Sequence, residues 1–310
     1  MNKFAILTAA SALVLSLQCL VSEQASALAA SPQTVSAVSA AASQSHAEAV
    51  YRASLPLLLN SAKLPEAMDY LNAKLYAVGS YRATIMTLTL ENTQKAALPA
   101  WEAKFANEAV QRELTILYEP GDSLHMLAEE SDRPALRAML LRAEDCGYKL
   151  ETAEGSFFPV IDYSSYLNFK THVTGDIREY ISIMAVESNL PMSKDNGLVI
   201  AWADVVSRAL SQEAFIADYP RSNRIATIKT LYKSYETATF YGLNNTPLFH
   251  YDNLEMDLEA EKAYNAVLAK DTSGSPYLEK LSAFMKLAKA DDYKLTGEVE
   301  AYRKENIPLQ

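Results

Sequence analysis

Carboxylates and aromatic rings crowd into one stretch of this 310-residue chain. Residues 148–166 read Tyr-Lys-Leu-Glu-Thr-Ala-Glu-Gly-Ser-Phe-Phe-Pro-Val-Ile-Asp-Tyr-Ser-Ser-Tyr. Paired acids can share acid and base work at a glycosidic bond or ligate calcium, and rings can lie against a sugar or a peptide. Glu154, Phe157, Phe158, Asp162, Tyr163 and Tyr166 are therefore the candidate contact residues, with Glu151 and Asp176 nearby. The spacing of these acids fits no metal loop, and acids in loops also serve as turn and helix caps. No metal site is expected from them.

Other chemistries find few residues to work with. His46, His125, His172 and His250 have no His-x-x-x-His or Cys-x-x-Cys partner, which weighs against zinc and against a His-based triad. No Gly-x-x-x-x-Gly-Lys or Gly-x-Gly-x-x-Gly occurs, so nucleotide chemistry is disfavoured and no cofactor is expected. Arg178 and Arg208 read as ion-pair partners of nearby acids. A formal charge of −10 opposes binding to nucleic acid. Cys146 reads as a small partly buried residue, and if the segment carrying Cys19 is removed it is the one thiol left, which provides no internal disulfide.

The elements that must position the acidic and aromatic stretch are helical. Apolar residues recur at helical spacing from Ala47 onward, and only 9 glycines are present, which suits packed helices. The spacing predicts helices over 81–95 and 99–118, divided at Pro99, then 132–145, 174–187, 195–217 and 222–241, with three shorter ones near Met256, Pro276 and Gly297. Residues 148–162 break the period at Gly155 and Pro159 and read as an ordered loop or short hairpin. The expected fold is mainly α, an irregular array of helical hairpins with a short aromatic loop or hairpin insertion. Its helical domain covers 46–310, with two lobes, 46–147 and 163–310, joined by the loop.

Three local resemblances bear on function. The join Asp218-Tyr219-Pro220-Arg221-Ser222 resembles the link between tetratricopeptide-like helical hairpins. Ala185-Val186-Glu187-Ser188-Asn189-Leu190-Pro191 and Ala263-Tyr264-Asn265-Ala266 resemble two motifs of soluble lytic transglycosylases. That resemblance implies a cell-wall glycan as substrate and Glu187 as the acid that protonates the glycosidic oxygen. Pro191 comes one residue early for that family, and its glycine-rich segment is reduced to Gly197-Leu198-Val199-Ile200. On residues 151–155, 158–163, 184–188 and 241–249, most of the expected mature chain resembles a group of exported proteins of Gram-positive spore-forming bacteria. That likeness implies a compartment and brings no activity with it.

The beginning of the chain agrees with export. Lys3 precedes an uncharged apolar run from Phe4 to Val21, and Ala25-Ser26-Ala27 offers small residues where a signal peptidase cuts. Residues 1–27 are expected to be a signal peptide and 28–45, rich in Ala and Ser, a flexible leader. Gln18 before Cys19 is a poor lipidation site, so no lasting membrane insertion is expected after cleavage. The expected role is an exported binding or scaffold protein without catalysis, secreted or held at the cell wall, with cell-wall glycan or an envelope protein as partner. Glycan cleavage through Glu187 is the alternative. Secreted protein is expected to begin close to Leu28 on N-terminal sequencing; an intact Met1 on soluble cytoplasmic protein would overturn the signal assignment.

Overall fold

The computed structural model describes residues 32–270 and 273–309. The expected signal peptide lies outside them. Residues 44–310 form one compact unit. Among the described residues, α-helices dominate and the strands form three two-stranded sheets, so the fold is mainly α, as expected. No helix among them is long and apolar enough to cross a membrane.

Helix α1 spans Pro32–Leu58 and takes in most of the segment expected as a flexible leader. Alanine is the strongest helix former, so a composition that looks like low complexity also suits a helix. After α2 (Leu64–Lys74), α3 runs from Ser80 to Phe105 without dividing at Pro99. Proline removes one donor and crowds the preceding turn. Beyond it Trp101 and Phe105 are buried, Trp101 against Tyr148 at 5.9 Å, and this packing carries the helix through. The break falls instead at Asn107, whose side chain accepts from the Ala109 amide and opens α4 (Glu108–Leu117). Helices α5 (Leu124–Glu130) and α6 (Pro134–Asp145) then pair.

The aromatic stretch is a hairpin. Strands β1 (Tyr148–Ala153) and β2 (Ser156–Ile161) run antiparallel, with Glu151 opposite Phe158 and Lys149 opposite Val160. Glu154 and Gly155 both take positive φ, the geometry of a two-residue turn matching strand twist. Helix α7 (Gly175–Asn189) follows, burying Ile177, Tyr180, Ile181 and Ala185 along one stripe.

A second hairpin stands where a helix was expected to start at Asp195. Strands β3 (Ser193–Lys194) and β4 (Gly197–Leu198) turn through Asp195 and Asn196, again at positive φ, and α8 begins only at Trp202 and ends at Asp218. Asp-Asn-Gly is turn chemistry, and it outweighs the apolar periodicity that follows it. Helix α9 (Ile225–Tyr241) packs beside α8 as a helical hairpin. A third sheet, β5 (Gly242–Leu243) and β6 (Thr246–Pro247), leads into α10 (Leu258–Leu268), α11 (Pro276–Ala290) and α12 (Gly297–Asn306).

Buried apolar residues form two clusters. One gathers the end of α1 and α2–α7 with the first hairpin, from Val50 to Ala185, and adds Phe215 and Ile228; the other extends from Ile200 to Ile307. The hairpin at 148–161 is thus part of the first core and does not join two lobes. Its alternation explains this: Phe157, Pro159 and Ile161 are buried while Phe158 and Val160 are half-buried on the other face.

Gly242 is needed for the turn into the third hairpin. Its φ is +72°, and an added Cβ would lie 2.4 Å from both the Leu248 nitrogen and the Thr246 oxygen, backbone atoms that cannot step aside. Gly242→Ala is expected to cost about 2 kcal/mol or more and to lower the Tm by several degrees. An unchanged Tm by calorimetry would refute the geometric requirement.

Candidate functional site

Helix α7, the first hairpin and the second hairpin wall a groove of about 580 Å³. Because paired residues in a sheet share a face, Glu151 and Phe158 both look onto it. Leu98, Val160, Met184 and Pro191 extend the apolar wall, and Lys95, Lys194, Asp195 and Glu187 add charge. The acid-and-aromatic stretch and Glu187, two separate sequence candidates, therefore meet at one depression.

Its walls are tied together. Lys194 Nζ lies 2.8 Å from Glu151 Oε1, and the Glu154 amide donates to Asp195 Oδ1 at 2.9 Å, joining the tips of the first two hairpins. The third hairpin joins them in turn: Asn245 N donates to the Asn196 carbonyl at 2.9 Å, and Leu198 N to Thr246 Oγ1 at 2.9 Å. At the other end the Tyr163 amide donates to Ser188 Oγ at 3.2 Å, and Ser164 Oγ to Asn189 Oδ1 at 2.6 Å. The end of α7 is thereby fixed to the exit of the first hairpin.

Not every expected contact residue faces outward. Phe158 is half-buried in the groove and Glu154 is exposed at the turn. Asp162 is half-buried, its Oδ1 accepting from the Ser164 amide at 3.0 Å, which is a local turn. Phe157, Tyr163 and Tyr166 are buried, a correction to their expected role as contacts. Phe157 falls on the core face of β2 and packs edge-on against Tyr118 at 5.2 Å. Tyr166 donates to Gln94 Oε1 inside the core. Tyr163 reaches the groove lining, but its hydroxyl is turned inward to Glu91. Of the neighbouring acids, Asp176 accepts from Thr174 Oγ1 at 2.5 Å and Ser222 Oγ at 2.7 Å and is structural. Among the described residues no group of three or more His, Cys, Asp or Glu could hold a metal ion.

Glu187, at the end of α7, is only slightly exposed. The Tyr235 hydroxyl sits between its two carboxylate oxygens, 2.7 and 2.8 Å away, and Arg208 Nη1 lies 3.6 Å from Oε1. Burial raises the Glu187 pKa, while the Tyr235 hydrogen bond and the Arg208 charge pull it back down; the net direction is upward. Tyr264, in the second stretch resembling the transglycosylases, is fully buried, with its hydroxyl on the Thr239 carbonyl at 2.7 Å. It lines neither this groove nor any surface beside Glu187.

Neither a family model, nor a curated protein, nor a solved structure matches the chain. Its function has to be argued from its own geometry.

The sequence reading missed the charge centre behind the groove. Glu91 of α3 is buried, and its Oε1 takes the Tyr163 hydroxyl at 2.5 Å, Lys95 Nζ at 2.6 Å and the Tyr180 hydroxyl. Its Oε2 faces Arg224, with Nη2 at 2.6 Å and Nε at 2.8 Å. The available signal is a carboxylate on the apolar face of α3, in phase with buried Thr84, Leu88 and Gln94. Burial alone would raise its pKa; hydrogen bonds from Lys95, Tyr163 and Tyr180 and the charge of Arg224 outweigh that, and the net shift is downward. Burial, with the neighbouring Tyr180 and Glu91, pushes the Tyr163 hydroxyl far up, so it stays a donor.

A carboxylate whose folded pKa lies below its unfolded value stabilises fully above the unfolded value, and the gain disappears as pH falls through the folded one. Stability is therefore expected to decline below about pH 4, the ordinary carboxylate range. Glu91→Gln keeps the shape but leaves Arg224 and Lys95 without their anion. It is expected to cost about 3 kcal/mol at neutral pH and to flatten the acid limb of a Tm-against-pH curve. A variant as stable as the parent, with the same acid limb, would show that Glu91 is not the charge centre.

Proposed function

We propose that this chain is an exported binding protein of the cell envelope, with the groove between the first hairpin, α7 and the second hairpin as its contact surface. The observation that carries the reading is the groove itself: half-buried Phe158 and Val160 beside the Glu151–Lys194 pair, on walls pinned by hydrogen bonds at both ends. An apolar floor with a few fixed polar groups is the usual make-up of a ligand site. Hydrogen-bonded walls lower the ordering cost of binding. Export rests on the amino-terminal sequence pattern, and the partner class, cell-wall glycan or an envelope protein, follows from that compartment.

A second reading is favoured by one observation. Glu187 lines the same groove, and its pKa is raised, as a general acid for glycan cleavage requires. Against it, Arg208 and Tyr235 both stabilise the carboxylate anion.

Co-sedimentation with purified cell-wall sacculi tests both readings. The full chain is expected to sediment with them, and Phe158→Ser to weaken this by about tenfold while the Tm changes little, since Phe158 is only half-buried. Absence of sedimentation, or sedimentation indifferent to Phe158→Ser, removes the groove from the account of wall binding. Release of soluble sugar fragments by the parent, abolished in Glu187→Gln, would establish the catalytic reading in its place.

A further inference from the structure

Beyond the third hairpin lies another hollow, of about 410 Å³. Leu243 of β5 and Asn196 at the tip of the second hairpin line both this hollow and the hairpin groove that holds Phe158, so the two adjoin across one saddle. Its floor is aromatic: the Arg303 guanidinium lies 4.6 Å from the Tyr241 ring centre and 5.3 Å from that of buried Phe249. Tyr251 and Leu254 stand at the rim.

Both rim residues are fixed while exposed. Tyr251 is 74% exposed, yet its hydroxyl donates to the Asn244 carbonyl at 3.3 Å, which tethers the ring to the loop of the third hairpin. Leu254 takes a φ of +60°, which bulky residues rarely adopt. It is held there by its amide on the His250 carbonyl at 2.9 Å and its carbonyl on the Leu295 amide at 2.8 Å, and its side chain stays exposed. A ring and an aliphatic side chain held in water beside one hollow are poorly explained as packing, and holding them lowers the cost of placing a ligand there.

The charges along the path choose the occupant. Lys95 is answered by Glu91, Glu151 by Lys194, Glu187 by Arg208, Asp195 by the Glu154 amide and Arg303 by Glu300. Every charged residue lining either hollow thus has a partner within the protein. A charged ligand would have to break one of these pairs or go unanswered. What remains for a ligand is the rings of Phe158 and Tyr251 and the neutral polar side chains of Asn196, Asn244 and Thr237. Flat apolar faces beside amides and a hydroxyl suit a pyranose, whose C–H face can lie on a ring while its hydroxyl and acetamido groups both donate and accept.

We infer that the ligand of the hairpin groove is an uncharged linear glycan that continues over Leu243 into the second hollow, with one sugar on Phe158 and another on Tyr251. This rests on the hairpin groove being a contact surface and adds a subsite to it. One chain filling both hollows makes the second contact intramolecular, so affinity is expected to climb with chain length.

Isothermal titration of the full chain with the dimer, tetramer and hexamer of N-acetylglucosamine tests the path. The parent is expected to bind the hexamer at least about tenfold more tightly than the dimer. Tyr251→Ala, at an exposed position, is expected to leave the Tm nearly unchanged and to bring the hexamer down to the affinity of the dimer. Tyr251→Phe keeps the ring without its tether and is expected to retain most of the advantage. Equal affinity for dimer and hexamer in the parent, or an advantage that survives Tyr251→Ala, would overturn the second subsite and leave the hairpin groove standing. Hexamer binding lost in Tyr251→Ala but indifferent to Phe158→Ser would overturn the continuous path. No saturable binding of any oligomer, or tighter binding of a blocked, uncharged hexapeptide of alternating Ala and Asn, would overturn the glycan assignment, while sedimentation with sacculi decides the hairpin groove separately.

Discussion

A carboxylate in an apolar interior must be surrounded by donors, and meeting that demand at Glu91 fixes much of this molecule. An isolated buried charge costs far more than a helix can offset, so the partners have to arrive in defined places. Lys95 comes from the next turn of α3, Tyr163 from the exit of the first hairpin, Tyr180 from α7 and Arg224 from the residue that leads into α9. Four separate parts of the chain converge on two oxygens. Arg224 is the partner that connects the first core to the α8–α9 pair, since it also donates to Asn92 of α3 at 2.8 Å. Gln94, one turn further on, repeats the device with neutral groups: it donates to the Cys146 carbonyl at 2.8 Å, accepts from Tyr166, and its own carbonyl accepts from Tyr148 at 2.7 Å.

The hairpin groove follows from that arrangement. With Tyr163 and Tyr180 held on one carboxylate, the hairpin exit and α7 can occupy only one relative position, and Phe158 and Glu151 are left facing the end of α7. Three short hairpins then recur at helix ends, after α6, α7 and α9, and are linked tip to tip. Two-stranded ribbons are marginal alone, and here each is held by a helix on one side and its neighbour on the other. The groove wall is therefore built on regular elements, which hold a site more precisely than free loops do.

Much of this was legible in the sequence, for physical reasons that can be traced to particular residues. Apolar spacing located most helices because a buried stripe repeats at the helical period, and Gly155 between apolar and aromatic residues marked the first hairpin. Pro99 does not divide α3 because the burial of Trp101 and Phe105 beyond it overrides the local rule, and Asp195-Asn196-Gly197 forms a hairpin because turn chemistry outweighs the apolar periodicity that follows it. Which of the aromatic residues lie inside was not legible: strand alternation decides which of Phe157 and Phe158 is buried, and the phase is set only when Gln111 captures the Phe157 backbone, its Nε2 donating to the carbonyl and its Oε1 accepting from the amide. Glu91 could not be assigned partners at all. Tyr163, Tyr180 and Arg224 lie 72, 89 and 133 residues along the chain, a distance over which local pattern has no reach.

Glu187 shows how the same residue can be well placed and still poorly suited to a reaction. A general acid must hold its proton near neutral pH, and burial moves Glu187 in that direction. Its two closest partners act the other way, because a phenol donating toward both oxygens and a guanidinium at 3.6 Å each favour the anion. Arg208 is itself anchored, donating to the Leu190 carbonyl at 2.7 Å and to the Tyr235 hydroxyl at 3.2 Å, so it cannot withdraw without giving up the end of α7. The triad joins α7, α8 and α9 at the wall of the hairpin groove. Its geometry is that of a brace: removing the charge would leave Arg208 uncompensated in a half-buried position, whereas keeping it costs the site nothing that binding requires. That balance favours recognition over catalysis as the work of this surface.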